Sequence, residues 1–160
     1  MKAAFVACSL GIIGVLNWMI VDKEMLLDSA QSIYLELAPV DPRSLMQGDY
    51  MVLDYAVARE AQSKANATLK SGHLILKVDD RRVGQFARID DGSPLADEEV
   101  RVTFTRNYRI HIGAESYFFE EGSGGEFAQA KFAELKVGSS GECVLVGLLD
   151  EKLNRISGEE

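Results

Sequence analysis

Nine residues, Gln47 to Tyr55, read QGDYMVLDY and set two acids and two tyrosines close to one glycine. Carboxylates at that density can hold backbone N–H groups, pair with arginine, bind a cation or move protons. Other candidate groups lie near it or near later turns. Asp41 and Arg43 flank Pro42 just upstream, and Glu115, Glu120 and Glu121 sit further along the chain. Asp54 ends the acidic part of the motif, one residue before Tyr55.

Metal chemistry needs ligands at spacings that converge. The two histidines, His73 and His111, fall in no HxxE or HxH pattern, and no DxDxDG run exists. His111 lies between Ile110 and Ile112, so it faces away from the core. Glu120 and Glu121 are adjacent and point to opposite sides of an extended chain. No metal, no cofactor and no catalytic residue is therefore assigned. The bend Gly122 to Gly125 could cradle an anion but lacks the lysine of a phosphate-binding loop, and reads as a flexible turn.

A structural reading accounts for the motif. Gly48 permits positive φ or a close backbone approach, and Asp49 can hold a turn through backbone N–H groups. Met51, Leu53, Tyr55 and Val57 share one strand face, which puts Leu53 and Tyr55 in the core. The Tyr55 hydroxyl then needs a buried partner. Tyr50, Val52, Asp54 and Ala56 share the other face, which meets either water or a docking partner. Arg43 is expected to lock the loop by pairing with Asp49 or Glu121, or else to contact a partner.

Short alternating segments position these groups. Ile33, Leu35 and Leu37 form one half-buried strand, closed by Pro39 and Pro42. Arg59 to Gly72 is polar and alanine-rich, a helical excursion or a loop. Leu74 to Val78 and Val83 to Ile89 form a hairpin turning at Asp79 to Arg82. Asp90 to Pro94 is a loop. Val100 to Thr105 and Tyr108 to Ile112 alternate, and Tyr117 to Phe119 is a brief apolar run. Glu126 to Lys131 suggests one or two helical turns. Phe132 to Val137 and Cys143 to Leu149 form a last hairpin across Ser139 to Gly141, the second strand buried on both faces. Residues after Asp150 read as a frayed tail. The expected fold is mainly β, all-β or α+β: a small antiparallel barrel or sandwich with one or two short helices.

The 160-residue chain has a net charge of −8, which argues against nucleic acid as a partner. Two cysteines, Cys8 and Cys143, make no disulfide framework and read as small buried residues. Ala3 to Val21 carries no charge over nineteen residues. As a helix at roughly 1.5 Å per residue it would cover about 28 Å, near a hydrocarbon core of about 30 Å. Lys2 before it and Asp22 to Glu24 after it place the N-terminus in the cytoplasm and the rest outside. A cleaved signal peptide fits less well, because its best cut has Asp28 at −3. The expected organisation is a transmembrane anchor at 1–21, a juxtamembrane helix or linker at 22–32, an outer domain at 33–150 and a tail at 151–160.

Gly48 to Tyr55 matches the pattern G-D-Y-x-x-L-x-Y at every specified position. With the flanking PVDPRSLMQ and the later GAESYFFEEG, the chain resembles the bacterial GDYXXLXY family over roughly Gln31 to Leu149. The resemblance implies an inner-membrane protein with a periplasmic domain, working beside a multi-pass membrane protein. It implies no activity. Pro42, Leu45, Gly48 and Asp49 also resemble, with one extra residue, the loop after the catalytic serine of signal peptidases. The serine position is not matched: Pro39, Val40 and Asp41 stand there, and Ser44 follows the proline instead. A shared fold element without catalysis fits better than an enzyme. The expected function is a non-enzymatic accessory or interaction subunit of a membrane complex. The alternative is an envelope enzyme or small-ligand binder using the acidic loops around Asp49 and Glu120.

Overall fold

A computed structural model of the chain describes residues 9–21, 30–38, 46–47, 50–64, 69–120 and 124–157. Alternation of apolar and polar residues builds its strands, and each strand turns its apolar set inward. β1 (Gln31–Glu36) buries Ile33 and Leu35. It pairs antiparallel with β9 (Phe132–Val137), setting Ile33 opposite Leu135 and Leu35 opposite Ala133. β10 (Cys143–Leu149) takes the other side of β9, with a bulge between Leu145 and Gly147.

A second sheet is centred on β4 (Ser71–Val78), between β5 (Gly84–Ile89) and β6 (Glu99–Arg106), and β6 carries β7 (Ile110–His111) at its outer edge. The third sheet contains the motif: β2 (Met46–Gln47), β3 (Tyr50–Val52) and β8 (Ser116–Phe118), in that order. All strand pairs within the three sheets are antiparallel.

Two narrow joins bend the first two sheets toward each other. Tyr34 N–H donates to Arg82 O at 2.7 Å, beside a single parallel bridge between Tyr34 and Val83. At the far edge Thr103 N–H donates to Gly141 O at 2.7 Å, in the β9–β10 turn. Gly141 has φ +89°, and a Cβ there would lie 3.1 Å from Arg101 O, so the join requires glycine. The result is an antiparallel half-barrel around Ile33, Leu35, Leu74, Leu76, Val102, Phe104, Leu135 and Leu148. Each such fully buried side chain stabilises the fold by about 1.5–3 kcal/mol. Helix α1 (Ala56–Lys64) packs against β1, β5 and β7 and buries Val57, Ala58 and Ala61.

Ile75 is the exception on β4. It is fully buried yet faces away from the core, opposite Arg88 on β5 and Arg101 on β6. Those arginines, on the same face of the sheet as Ile75, pair with Asp91, Glu99 and Asp90 at 2.8–3.0 Å. The Asp90 carboxyl is held below the ordinary aspartate range, first by the Gly92 N–H and then by Arg101.

Several boundaries differ from the expectation. β1 starts at Gln31, two residues before Ile33. The motif strand stops at Val52, and Val57 belongs to α1, not to a strand. Residues 56–64, AVAREAQSK, are mostly strong helix formers, and that preference outweighs the alternation of Met51, Leu53, Tyr55 and Val57. Tyr108 is 97% exposed, because the strand narrows to Ile110 and His111. Helix α2 (Gly124–Phe127) is one turn and begins in the glycine bend. β10 is fully buried only over Gly147, Leu148 and Leu149. The segment after Asp150 is not frayed through residue 157. Asp150 accepts N–H groups from Lys152 and Asn154 at 2.8 Å, Ile156 N–H donates to Leu148 O, and Arg155 donates to Val146 O at 2.7 Å.

Residues 9–21 are helical, and Leu10, Ile12, Ile13, Val15, Leu16, Trp18, Met19, Ile20 and Val21 are exposed. Among the described residues no helix is long and apolar enough to cross a membrane.

Candidate functional site

The two stretches that carry the family resemblance meet in space. Tyr50, Met51 and Val52 of β3 pair with Phe118, Tyr117 and Ser116 of β8. Beyond the ladder, Leu53 N–H donates to Glu115 O at 2.7 Å. The Tyr55 hydroxyl then donates to Ala114 O. On its other side the segment is tied to β1's extension, where Ala38 N–H donates to Asp54 O at 2.8 Å and Leu37 bridges Tyr55. Tyr55 also starts α1, its carbonyl accepting the Ala58 and Arg59 N–H groups at 3.1 Å. One residue thus joins the motif, the GAES turn, β1 and the helix.

The GAES turn is organised by a carboxylate. Glu115 Oε1 accepts the Ile112 N–H at 2.5 Å, and Oε2 accepts the Gly113 N–H at 3.1 Å. Gly113 has φ +84°, a left-handed conformation suited to glycine. The turn therefore presents the Ala114 and Glu115 carbonyls to the motif. His111 Nδ1 lies 3.8 Å from Glu115 Oε1, with its side chain partly exposed.

Burial governs the proton chemistry here. It pushes the Tyr55 hydroxyl well above the ordinary tyrosine range, and the Glu115 charge adds to the effect. The Cys143 thiol is pushed up to about 12, first by burial and then by Glu115 and Glu142. Both groups stay protonated at neutral pH, so neither is a ready nucleophile.

Asp54 sits at the open end of this assembly. Arg59 reaches its Oδ2 with Nε and a terminal nitrogen, each at 3.0 Å. Arg109 reaches the same oxygen at 3.3 Å. Two guanidinium groups thus share one carboxylate oxygen. Asp54, Val52, Arg109, His111 and Glu115 line a cavity of about 30 Å³, and Asp54, Arg59, Gln62 and Arg109 line another of about 40 Å³. Each has room for a water or two. Beside them lies an apolar face: Tyr50 packs on Phe118 with ring centroids 5.8 Å apart, Phe118 is 73% exposed and Val52 41%.

Of the candidate residues, Leu53 and Tyr55 are in the core, as alternation required. Tyr50 is half-buried against Phe118. Asp54 lies past the end of β3 and so does not share a strand face with Tyr50. Glu120 is exposed beyond β8. Gly48, Asp49, Asp41, Arg43 and Glu121 lie outside the described residues, as do Pro42, Ser44 and Leu45 of the peptidase-like loop. Lys64 and Lys77 are exposed and paired with Glu60 at 2.7 Å and Glu98 at 3.2 Å. Arg59 and Arg109 were not singled out by the sequence. They stand five and fifty-five positions from Asp54, and no spacing rule links them.

These features define a mainly β protein whose signature segment is a structural junction with one outward face. The chain belongs to the GDYXXLXY family, whose model, described as GDYXXLXY protein, matches residues 12–148. The match begins inside the uncharged N-terminal stretch, well before the Gln31 limit of the sequence resemblance. Comparison with curated proteins and with solved structures returned no match.

Proposed function

We propose that this chain is a non-enzymatic accessory subunit of a bacterial inner-membrane complex. In this reading Ala3 to Val21 anchors it, the N-terminus is cytoplasmic, and the half-barrel works in the periplasm beside a multi-pass membrane protein. The observation that carries the reading is the exposure of every large apolar side chain from Leu10 to Val21. Such a surface is costly in water and calls for a lipid or protein cover. The uncharged sequence continues to Ala3, outside the described residues, and the Lys2 and Asp22 flanks set the orientation. The exposed Phe118 and Val52 on the motif sheet supply a second surface suited to contact.

Two measurements test it. A reporter active only outside the cytoplasm, fused after the last residue, is expected to be active; a well-expressed silent fusion reverses the topology. Gentle detergent extraction of the tagged full chain is expected to recover an integral membrane partner, and recovery of the chain alone refutes the accessory role.

A further inference from the structure

The outward face of the motif sheet and the arginine pair at Asp54 form one continuous strip. Val52 is exposed on β3 and also lines the cavity that contains Asp54, Arg109 and His111. Phe118 and Tyr50 extend the strip on one side. Arg59 and Arg109 end it on the other, 49% and 66% exposed. We propose that this strip receives an extended segment of a partner protein, with apolar side chains on Phe118 and Val52 and a carboxylate between Arg59 and Arg109. The inference rests on the accessory-subunit reading and specifies how the partner is held.

Charge complementarity selects the carboxylate. Arg59 and Arg109 place three of their nitrogens on a single oxygen, Asp54 Oδ2. A guanidinium carries five donors, so the pair has N–H groups left for a second carboxylate. Glu115 lines the cavity on the Val52 side, where its carboxylate is taken up by the Ile112 and Gly113 N–H groups. In the cavity lined by both arginines Asp54 is the one acid, and an incoming carboxylate there balances the second guanidinium. The rest of the chain argues against a phosphate-dense surface, which a net charge of −8 would repel. A free small anion would leave Phe118 and Val52 in water, whereas a peptide segment covers them.

The test places a photo-crosslinking amino acid at Phe118 in the full chain, in its native membranes. The control carries the same group at Leu95, which is exposed in the loop before β6. The expected adduct joins Phe118 to a protein peptide bearing Asp or Glu within about four residues, a reach of roughly 14 Å. Arg109→Glu is expected to lower its yield by at least about fivefold. Changing that acidic residue of the partner to Lys is expected to restore the yield in the Arg109→Glu chain. Arg109→Gln, with an unchanged melting temperature, separates lost contact from lost folding. The proposal is overturned by an adduct to lipid or to a second copy of this chain, by a yield indifferent to residue 109, by equal adducts from Leu95, or by none. If a membrane partner is still recovered in detergent, such a result sinks the strip and spares the accessory role. If no partner is recovered, both fall.

Discussion

Replacing Tyr55 by Phe separates the two properties of the motif's last residue. The ring stays in the core, where Tyr55 is 1% exposed, and the hydrogen bond to Ala114 O is lost. A buried carbonyl then loses its partner, at a cost of about 1–2 kcal/mol. The folded domain has roughly 130 residues, for which the unfolding entropy is about 0.27 kcal/mol per kelvin. The melting temperature of the full chain in detergent should therefore fall by roughly 4–7 °C. A change under about 1 °C would mean that the hydroxyl is not the clamp between the motif and the GAES turn.

The same pair of proteins makes an independent test at alkaline pH. Burial raises the Tyr55 pKa in the folded state, whereas the unfolded chain titrates near 10.0. Above that pH the unfolded state binds fewer protons than the folded one, so stability falls as pH rises. The stabilisation from this group is complete below the unfolded pKa. Each further pH unit should cost the wild type about 1.4 kcal/mol relative to Tyr55→Phe, which has no hydroxyl to ionise. Denaturant titrations at several pH values from 9 upward read the difference directly, since the other tyrosines are common to both proteins. Parallel curves would contradict a buried, protonated Tyr55.

Three further outcomes follow from the geometry. Glu115→Ala removes the acceptor of the Ile112 and Gly113 N–H groups and should destabilise by about 1–2 kcal/mol, while Glu115→Gln, which keeps an acceptor, should cost less; equal losses would assign the effect to charge. Cys143, pushed up from 9.0 to about 12, should hold roughly a thousandfold less thiolate at pH 8 than the unfolded chain. Peptide mapping after iodoacetamide should show it alkylated only in denaturant, and labelling in the native protein would refute the burial. Truncation after Asp150 removes Ile156 from the core margin along with its N–H bond to Leu148, and should lower stability by about 1–2 kcal/mol; an unchanged melt would return the segment to a frayed tail.

Much of the barrel was legible because alternation is a local signal. Ile33 and Leu35, Val102 and Phe104, and Ala133 to Val137 could be assigned to strands, and their inward faces followed. The pairing of β3 with β8 could not be read, because some sixty residues separate Val52 from Ser116 and contact across such a distance leaves no periodic trace. The same limit hid Arg109. The end of the motif strand is hidden for a different reason. Met51, Leu53, Tyr55 and Val57 are all buried, but Met51 is held by the strand, Leu53 by a backbone bond to Glu115, Tyr55 by a bridge to Leu37 and Val57 by a helix. Inward position was recovered correctly there while the conformation that delivers it was not. The buried Tyr55 hydroxyl was expected to need a partner, and it found one in the turn of the other resemblance segment.

Asp54 decides whether the outward end of the motif is structure or surface function. If it is a structural brace, removing its charge should unfold the junction. Its partners argue otherwise, since Arg59 and Arg109 are each about half or more exposed. Pairs of that kind contribute about 0–1 kcal/mol, because water screens them and long side chains lose entropy in holding one geometry. The backbone of Asp54 is tied independently, through its carbonyl to Ala38 N–H. Asp54→Asn keeps that bond and the side-chain shape. It should therefore cost under about 1 kcal/mol in a denaturant melt, and its coupling to Arg109→Gln in a double-mutant cycle should stay below about 0.5 kcal/mol. A loss above about 2 kcal/mol would make the carboxylate a fold determinant and withdraw the strip's cationic end from any partner. A small loss leaves two arginines, held near one dispensable carboxylate, with their excess charge directed outward.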